Sequence, residues 1–106
     1  MGLKVVWLRL AEEKLEDIYN YYSEKAGITT ARKIVLGIVD TTIDLEHNPE
    51  IGQTEELLVH KGREFRYLIY KNYKVVYRLH KERNIIEIAN VFDTRQNPYK
   101  LVQSTK

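Results

Sequence analysis

The sequence predicts an α+β fold: a short N-terminal strand, an antiparallel helix hairpin, then an antiparallel β-meander packed on the helices. Three observations predict it. Apolar residues recur at helical spacing from Ala11 to Leu45. Apolar and polar residues then alternate at period two in short runs from Glu64 to Phe92. Between the two regimes stands Asn48-Pro49, which neither a helix nor a central strand tolerates well. Helices segregated along the chain from antiparallel strands form the α+β class.

The elements follow in order. Lys4 to Leu10, with Val5, Val6, Trp7 and Leu8, reads as a first strand. Ala11, Leu15, Ile18, Tyr19 and Tyr22 then line one side of a helix. Glu12, Glu13, Glu16 and Asp17 lie between them, near the end where the helix dipole favours acids. Gly27 ends that helix. Thr29 or Thr30 is expected to cap a second one, with Ala31, Ile34, Val35, Ile38, Thr42 and Leu45 as its apolar stripe and Asn48-Pro49 as its stop. Pro49 to Gly62 reads as loop with a short strand at Leu57-Leu58-Val59.

Three longer strands are expected next. In Glu64–Tyr70, Phe65, Tyr67 and Ile69 share one face, and Arg66, Leu68 and Tyr70 the other. Lys71-Asn72 makes a two-residue turn in which the asparagine is expected to take the positive φ. Tyr73, Val75, Tyr77 and Leu79 then alternate against Lys74, Val76, Arg78 and His80. Lys81 to Asn84 turns the chain into Ile85–Phe92. The remainder, residues 93–106, is a polar tail with a helical turn near Tyr99 to Val102. Two helices on one sheet face are expected to leave the other face partly open, basic and aromatic, and function is expected there.

At 106 residues and 43% hydrophobic content the chain has material for one domain, residues 1–106, with one modest core. It contains no cysteine, which removes disulfides, thiolate metal sites and cysteine nucleophiles and makes a reducing cytoplasm the expected compartment. No apolar run approaches the roughly 20 residues of a membrane span, and no secretory signal is expected. Net charge is only +2, yet residues 1–53 carry −3 and residues 54–106 carry +5. The second half therefore suits an anionic or acidic partner. The plainer account of the same charges is that they keep sheet edges soluble. His47, His60 and His80 lack metal-ligand spacing, so neither a metal nor another cofactor is expected.

The segments AEEKLEDIYNYY, NPEIG, FRYLIYKNYKVVYRL and IANVFDTRQNP, in this order, resemble the RelE/ParE superfamily, over roughly Val5 to Leu101. These are the toxin halves of type II toxin–antitoxin pairs, also called plasmid-stabilisation proteins. The resemblance implies a bacterial growth-inhibiting toxin neutralised by a cognate antitoxin. RelE-like members cut mRNA in the ribosomal A site without a metal. ParE-like members are associated with poisoning DNA gyrase.

RNA cleavage by 2′-hydroxyl attack needs a base, a cation for the phosphorane charge and an acid for the leaving oxygen. If the chain is a nuclease, Arg66, Lys74 and Arg95 are the catalytic residues to test. Lys74 stands where RelE-like nucleases commonly have arginine and lacks the bidentate fork. Asp93 sits where it would repel a phosphate. The chain is therefore read as closer to ParE, with Arg66, Lys74, Arg78, Arg95 and Tyr70 as target or antitoxin contacts. DNA gyrase is the implied target, with the ribosome and mRNA as the alternative. A third reading is a detoxified relic that only binds its antitoxin. Homodimer and toxin–antitoxin hetero-oligomer both stay open. For Arg66 the plain alternative is an ion pair with Glu87; Tyr73 and Tyr77, sharing the face of Val75, are expected in the core.

Overall fold

The computed structural model describes residues 2–61 and 64–105, apart from the side chains of His60 and Lys61. Gly62, where the predicted loop ends, lies outside them. Strand β1 spans Lys4–Trp7, helix α1 Arg9–Ala26, helix α2 Ile28–Asp40, β2 Gln53–Thr54, β3 Phe65–Tyr70, β4 Tyr73–His80, β5 Ile85–Asp93 and helix α3 Tyr99–Ser104. Two 3-10 helices, Ile43–Glu46 and Glu56–Lys61, flank β2. The sheet order is β1-β5-β4-β3-β2. The meander β2 to β5 is antiparallel, whereas β1 lies parallel to β5, with Lys4 opposite Ile85 and Trp7 opposite Ile88. This is the predicted α+β fold. None of the helices, among the described residues, is long and apolar enough to cross a membrane.

Gly27 both ends α1 and opens α2, at φ +95°, a conformation that side chains resist. The cap is thus the glycine itself, and Thr29 and Thr30 lie inside the first turn of α2. Helix α2 stops at Asp40, earlier than the apolar stripe suggested. The Thr41 and Thr42 hydroxyls donate back to the carbonyls of Ile38 and Val39, each at 2.7 Å, and the chain tightens into a 3-10 helix that still buries Leu45. In the β3–β4 turn Lys71 takes the positive φ, 52°, rather than Asn72. Asn72 is engaged otherwise. Its amide donates to Asp93 Oδ1 at 3.1 Å and its carbonyl accepts from Thr94 N at 2.8 Å.

The α1–α2 hairpin covers one face of the sheet. Ala11, Ile34, Ile38 and Leu45 pack there on Tyr73, Val75, Tyr77, Ile86, Ile88 and Val91. Tyr73 and Tyr77 are buried as expected. The opposite face, expected to be partly open, is covered over its apolar centre, with Tyr67, Lys74, Arg78 and His80 left half-buried. Leu58, from the segment expected to be a strand, and Leu101 of α3 close over Phe65, Val76, Ala89 and Phe92. Three apolar residues in a row, Leu57 to Val59, do not alternate, and as a 3-10 helix they insert Leu58 while leaving Leu57 and Val59 exposed. A bulge in β5 serves α3. Val76 pairs with Asn90 and Tyr77 with Ile88, so Ala89 has no partner. Ala89 joins the α3-side core, and buried Asn90 donates to Ser104 Oγ and Thr105 Oγ1, both at 3.0 Å.

The loop before β3 is held by one phenol. Tyr77 Oη donates to the Pro49 carbonyl at 2.7 Å and accepts from Gly52 N at 3.0 Å. A Cβ at Gly52 would lie 2.6 Å from that oxygen and 2.8 Å from the Tyr67 carbonyl, so only glycine fits the approach. Tyr77→Phe leaves the Pro49 and Gly52 backbone groups unpaired and is expected to cost about 1–3 kcal/mol. Gly52→Ala should cost at least as much. Urea unfolding at unchanged m-value checks both.

Candidate functional site

The alternation of β3 and β4 distributes the predicted contact residues over two faces. Arg66 and Tyr70 share the helix-hairpin face with Tyr77 and Tyr73, their cross-strand neighbours. Lys74 and Arg78 share the opposite face with Val76. Arg95 lies beyond the end of β5. The three residues of the nuclease reading therefore do not converge on one phosphodiester.

Each is also engaged. Arg66 is paired with Glu64 rather than Glu87: Nε and Nη2 both reach Glu64 Oε2 at 2.7 Å, while Nη1 donates to the Gly52 carbonyl at 2.8 Å. Its guanidinium thereby staples the loop that Tyr77 anchors. Lys74 Nζ lies 2.6 Å from Oε2 of Glu55, which is almost fully buried, and 4.3 Å from the Tyr67 ring centroid. Glu87 goes instead to Arg78 and His80. Arg78 Nη2 donates to His80 Nδ1 at 3.2 Å, which makes Nε2 the protonated nitrogen that donates to Glu87 Oε1 at 2.6 Å. Tyr70 packs on Gly37 of α2, whose missing side chain makes room for the phenol ring. It is partly buried there, packed against the helix-side core.

Arg95 differs, because it is exposed. Its Nε and Nη2 grip Asp93 Oδ1 and Oδ2 at 3.0 and 2.8 Å, and its own amide donates to Oδ1 at 2.9 Å. With Asn72 also donating, the Asp93 carboxyl is held down to about 2, chiefly by the Arg95 side chain. The pair raises the Arg95 pKa further and fixes a guanidinium whose side chain is 63% exposed. Beside it opens a cleft of about 330 Å³ between α1 and the end of β5, lined by Lys14, Asp17, Tyr21, Tyr73, Asp93 and Arg95 among others. Tyr21 is half exposed and stacks edge-on against Tyr22, ring centroids 5.0 Å apart. Burial pushes the Tyr73 hydroxyl pKa up, and the Tyr22 hydroxyl 3.5 Å away adds to the shift.

The sequence alone offers Arg95 as a candidate but not the groups that surround it. Asp93, which by charge alone repels a phosphate, pairs with Arg95 two residues on at the strand end, and that spacing is the signal for a local ion pair. Lys14, Tyr21 and Tyr73 come from elements far apart in sequence, and no local pattern joins them to Arg95.

Comparison with known proteins bears on the family and the fold. The model of the ParE toxin of type II toxin–antitoxin systems, parDE, matches residues 5–98. The chain belongs to the ParE toxin family. Among solved structures this ParE-family toxin resembles a chain from the chromosomal ParDE toxin–antitoxin system of P. aeruginosa, with TM-score 0.73 and 23% identity, over 87% of this chain and 96% of that one. That likeness is one of fold. No curated protein matches the chain.

Two predictions follow from the pairing. Lys74→Ala leaves the Glu55 carboxylate buried without its cation and is expected to cost about 2–3 kcal/mol in urea unfolding, moderated by the water that reaches Lys74. Asp93 has a folded pKa below its ordinary 3.8, so its contribution to stability is complete above that value and is lost as pH falls towards 2. In Arg95→Ala the Asp93 carboxyl should titrate close to its ordinary value, which carboxyl chemical shifts measured between pH 2 and 5 would show.

Proposed function

We propose that this ParE-family chain arrests growth by binding a target protein, with DNA gyrase as the target the family implies. A cognate antitoxin neutralises it by laying an acidic segment across the toxin. The observation that carries this reading is the saturation of the basic residues. Arg66, Lys74 and Arg78 are each bound to an acid inside the fold, and they lie on two faces of the sheet. Stabilising a phosphorane would need such cations gathered at one point. Arg95 is paired as well, with Asp93, but it is the most exposed of the four. Its guanidinium is held beside a cleft that carries Tyr21 and Tyr73, which suits recognition of a protein surface, where arginine and tyrosine are the favoured anchors. Arg95 and the adjoining Tyr21 are therefore the proposed contacts, and the other four sequence-derived residues support the scaffold.

The test is a pulse of unopposed expression in a bacterial host with DNA synthesis and translation followed in parallel. DNA synthesis is expected to halt first, with induction of DNA-damage repair. Arg95→Ala is expected to lose growth arrest while remaining folded, because an exposed substitution costs under about 0.5 kcal/mol. An early collapse of translation with mRNA cut in the ribosomal A site would overturn the reading in favour of a nuclease. Unaffected growth under the wild-type chain would instead mark a relic that only binds its antitoxin.

A further inference from the structure

The outward side of α2 has no role in the fold or in the cleft, and it is built unlike the outward side of α1. Helix α1 shows water Glu12, Glu13, Glu16, Asp17, Asn20, Glu24 and Lys25, its one large exposed apolar side chain, Tyr21, lining the cleft. Helix α2 shows Ile28, Arg32, Leu36 and Asp40, all exposed and all four residues apart, with Ile43 just beyond. Ile28, Leu36 and Ile43 are 58%, 55% and 59% exposed, more than an ordinary water-facing stripe leaves bare. Charge along the stripe is antisymmetric about Leu36. Arg32 precedes Leu36 by four residues and Asp40 follows it by four, and neither makes an ion pair among the described residues. Asp40 also stands at the C-terminal end of α2, where the helix dipole disfavours a carboxylate.

We propose that this stripe is a homodimer interface, occupied by α2 of a second copy of the same chain in antiparallel orientation. A two-fold axis at Leu36 sets Leu36 on its own counterpart and brings Arg32 of each copy to Asp40 of the other. The same operation sets the Asp40 end of one helix beside the first half of its neighbour, which answers the unfavourable dipole. The contact is isologous, so it closes at two copies and builds no filament. One 13-residue helix supplies less surface than the roughly 800 Å² per partner of a standard interface, and the dimer is accordingly weak and concentration-dependent. This inference is independent of what the cleft at Arg95 binds.

Sedimentation equilibrium on the purified chain, from about 1 to about 500 µM, tests it in the range where such interfaces associate. The wild-type chain is expected to shift from monomer to dimer. Leu36→Glu places two carboxylates on the axis and should weaken the dimer at least tenfold, as should Arg32→Asp or Asp40→Arg alone. Mixing the two charge-reversed variants restores complementary pairs in the mixed dimer only, and association should return to within about threefold of wild type. Circular dichroism of each variant verifies that α2 remains folded. A wild-type monomer at every concentration would overturn the proposal. So would dimerisation indifferent to Leu36→Glu, or folded charge-reversed variants that fail to associate when mixed; these outcomes would assign the stripe to a different protein or to none.

Discussion

Strand β4 is closed off on both sides, and the charges that its alternation carries have to be matched within the protein. Val75, Val76 and Tyr77 at its centre are fully buried. The cations on either side of them, Lys74 and Arg78, would carry a heavy desolvation cost if left alone. Glu55 and Glu87 remove that cost, one from the loop before β3 and the other from the neighbouring strand. Glu55 is followed at once by the 3-10 helix that inserts Leu58 over Val76 and Phe65. The ion pair and the apolar insertion thus position each other, and both depend on β4 being central.

Much of the fold was legible because period two and period 3.6 are strong signals here. The alternation Tyr73, Val75, Tyr77, Leu79 against Lys74, Val76, Arg78, His80 describes β4 as it stands, and β5 extends by one residue beyond the expected Phe92. What was not legible had non-local causes. The end of α2 was decided by two threonine hydroxyls returning to the backbone, whereas the apolar stripe continued to Leu45. Asn72 looked like the residue for a positive φ, but a carboxylate on the far strand claimed its side chain, and Lys71 took the strained position. The polar tail seemed to have no surface to cover, since nothing in its composition announces that Asn90, through a bulge, holds both Ser104 and Thr105.

The candidate site was legible in its residue types and not in its pairing. Basic strand residues read one at a time suggest an anionic partner; the register shows each of them spent inside the fold. Arg66 and Glu87 were a reasonable pair by alternation alone, yet they stand on opposite faces, because Arg66 lies across from Tyr77 and Glu87 across from Arg78. Arg95 stood out for its position after the last strand, and that position is why it escapes burial. In this ParE-family fold the basic residues of β3 and β4 thus serve internal pairs, and the charge open to solvent lies in the turns and beyond β5.

The parallel pairing of β1 with β5 has a consequence for how the chain is made. Lys4 finds its partner at Ile85, so β1 waits for β5, the last of the five described strands, to emerge. Long-range closure of this kind carries an entropic cost before any contact rewards it, and it slows folding. The helix hairpin forms from local contacts well before then, but with no sheet beneath it and its apolar side uncovered. Until β5 has been made the nascent chain lacks both the end of that strand and the cleft beside it, so the surface around Arg95 comes into being only when the two ends of the sheet meet.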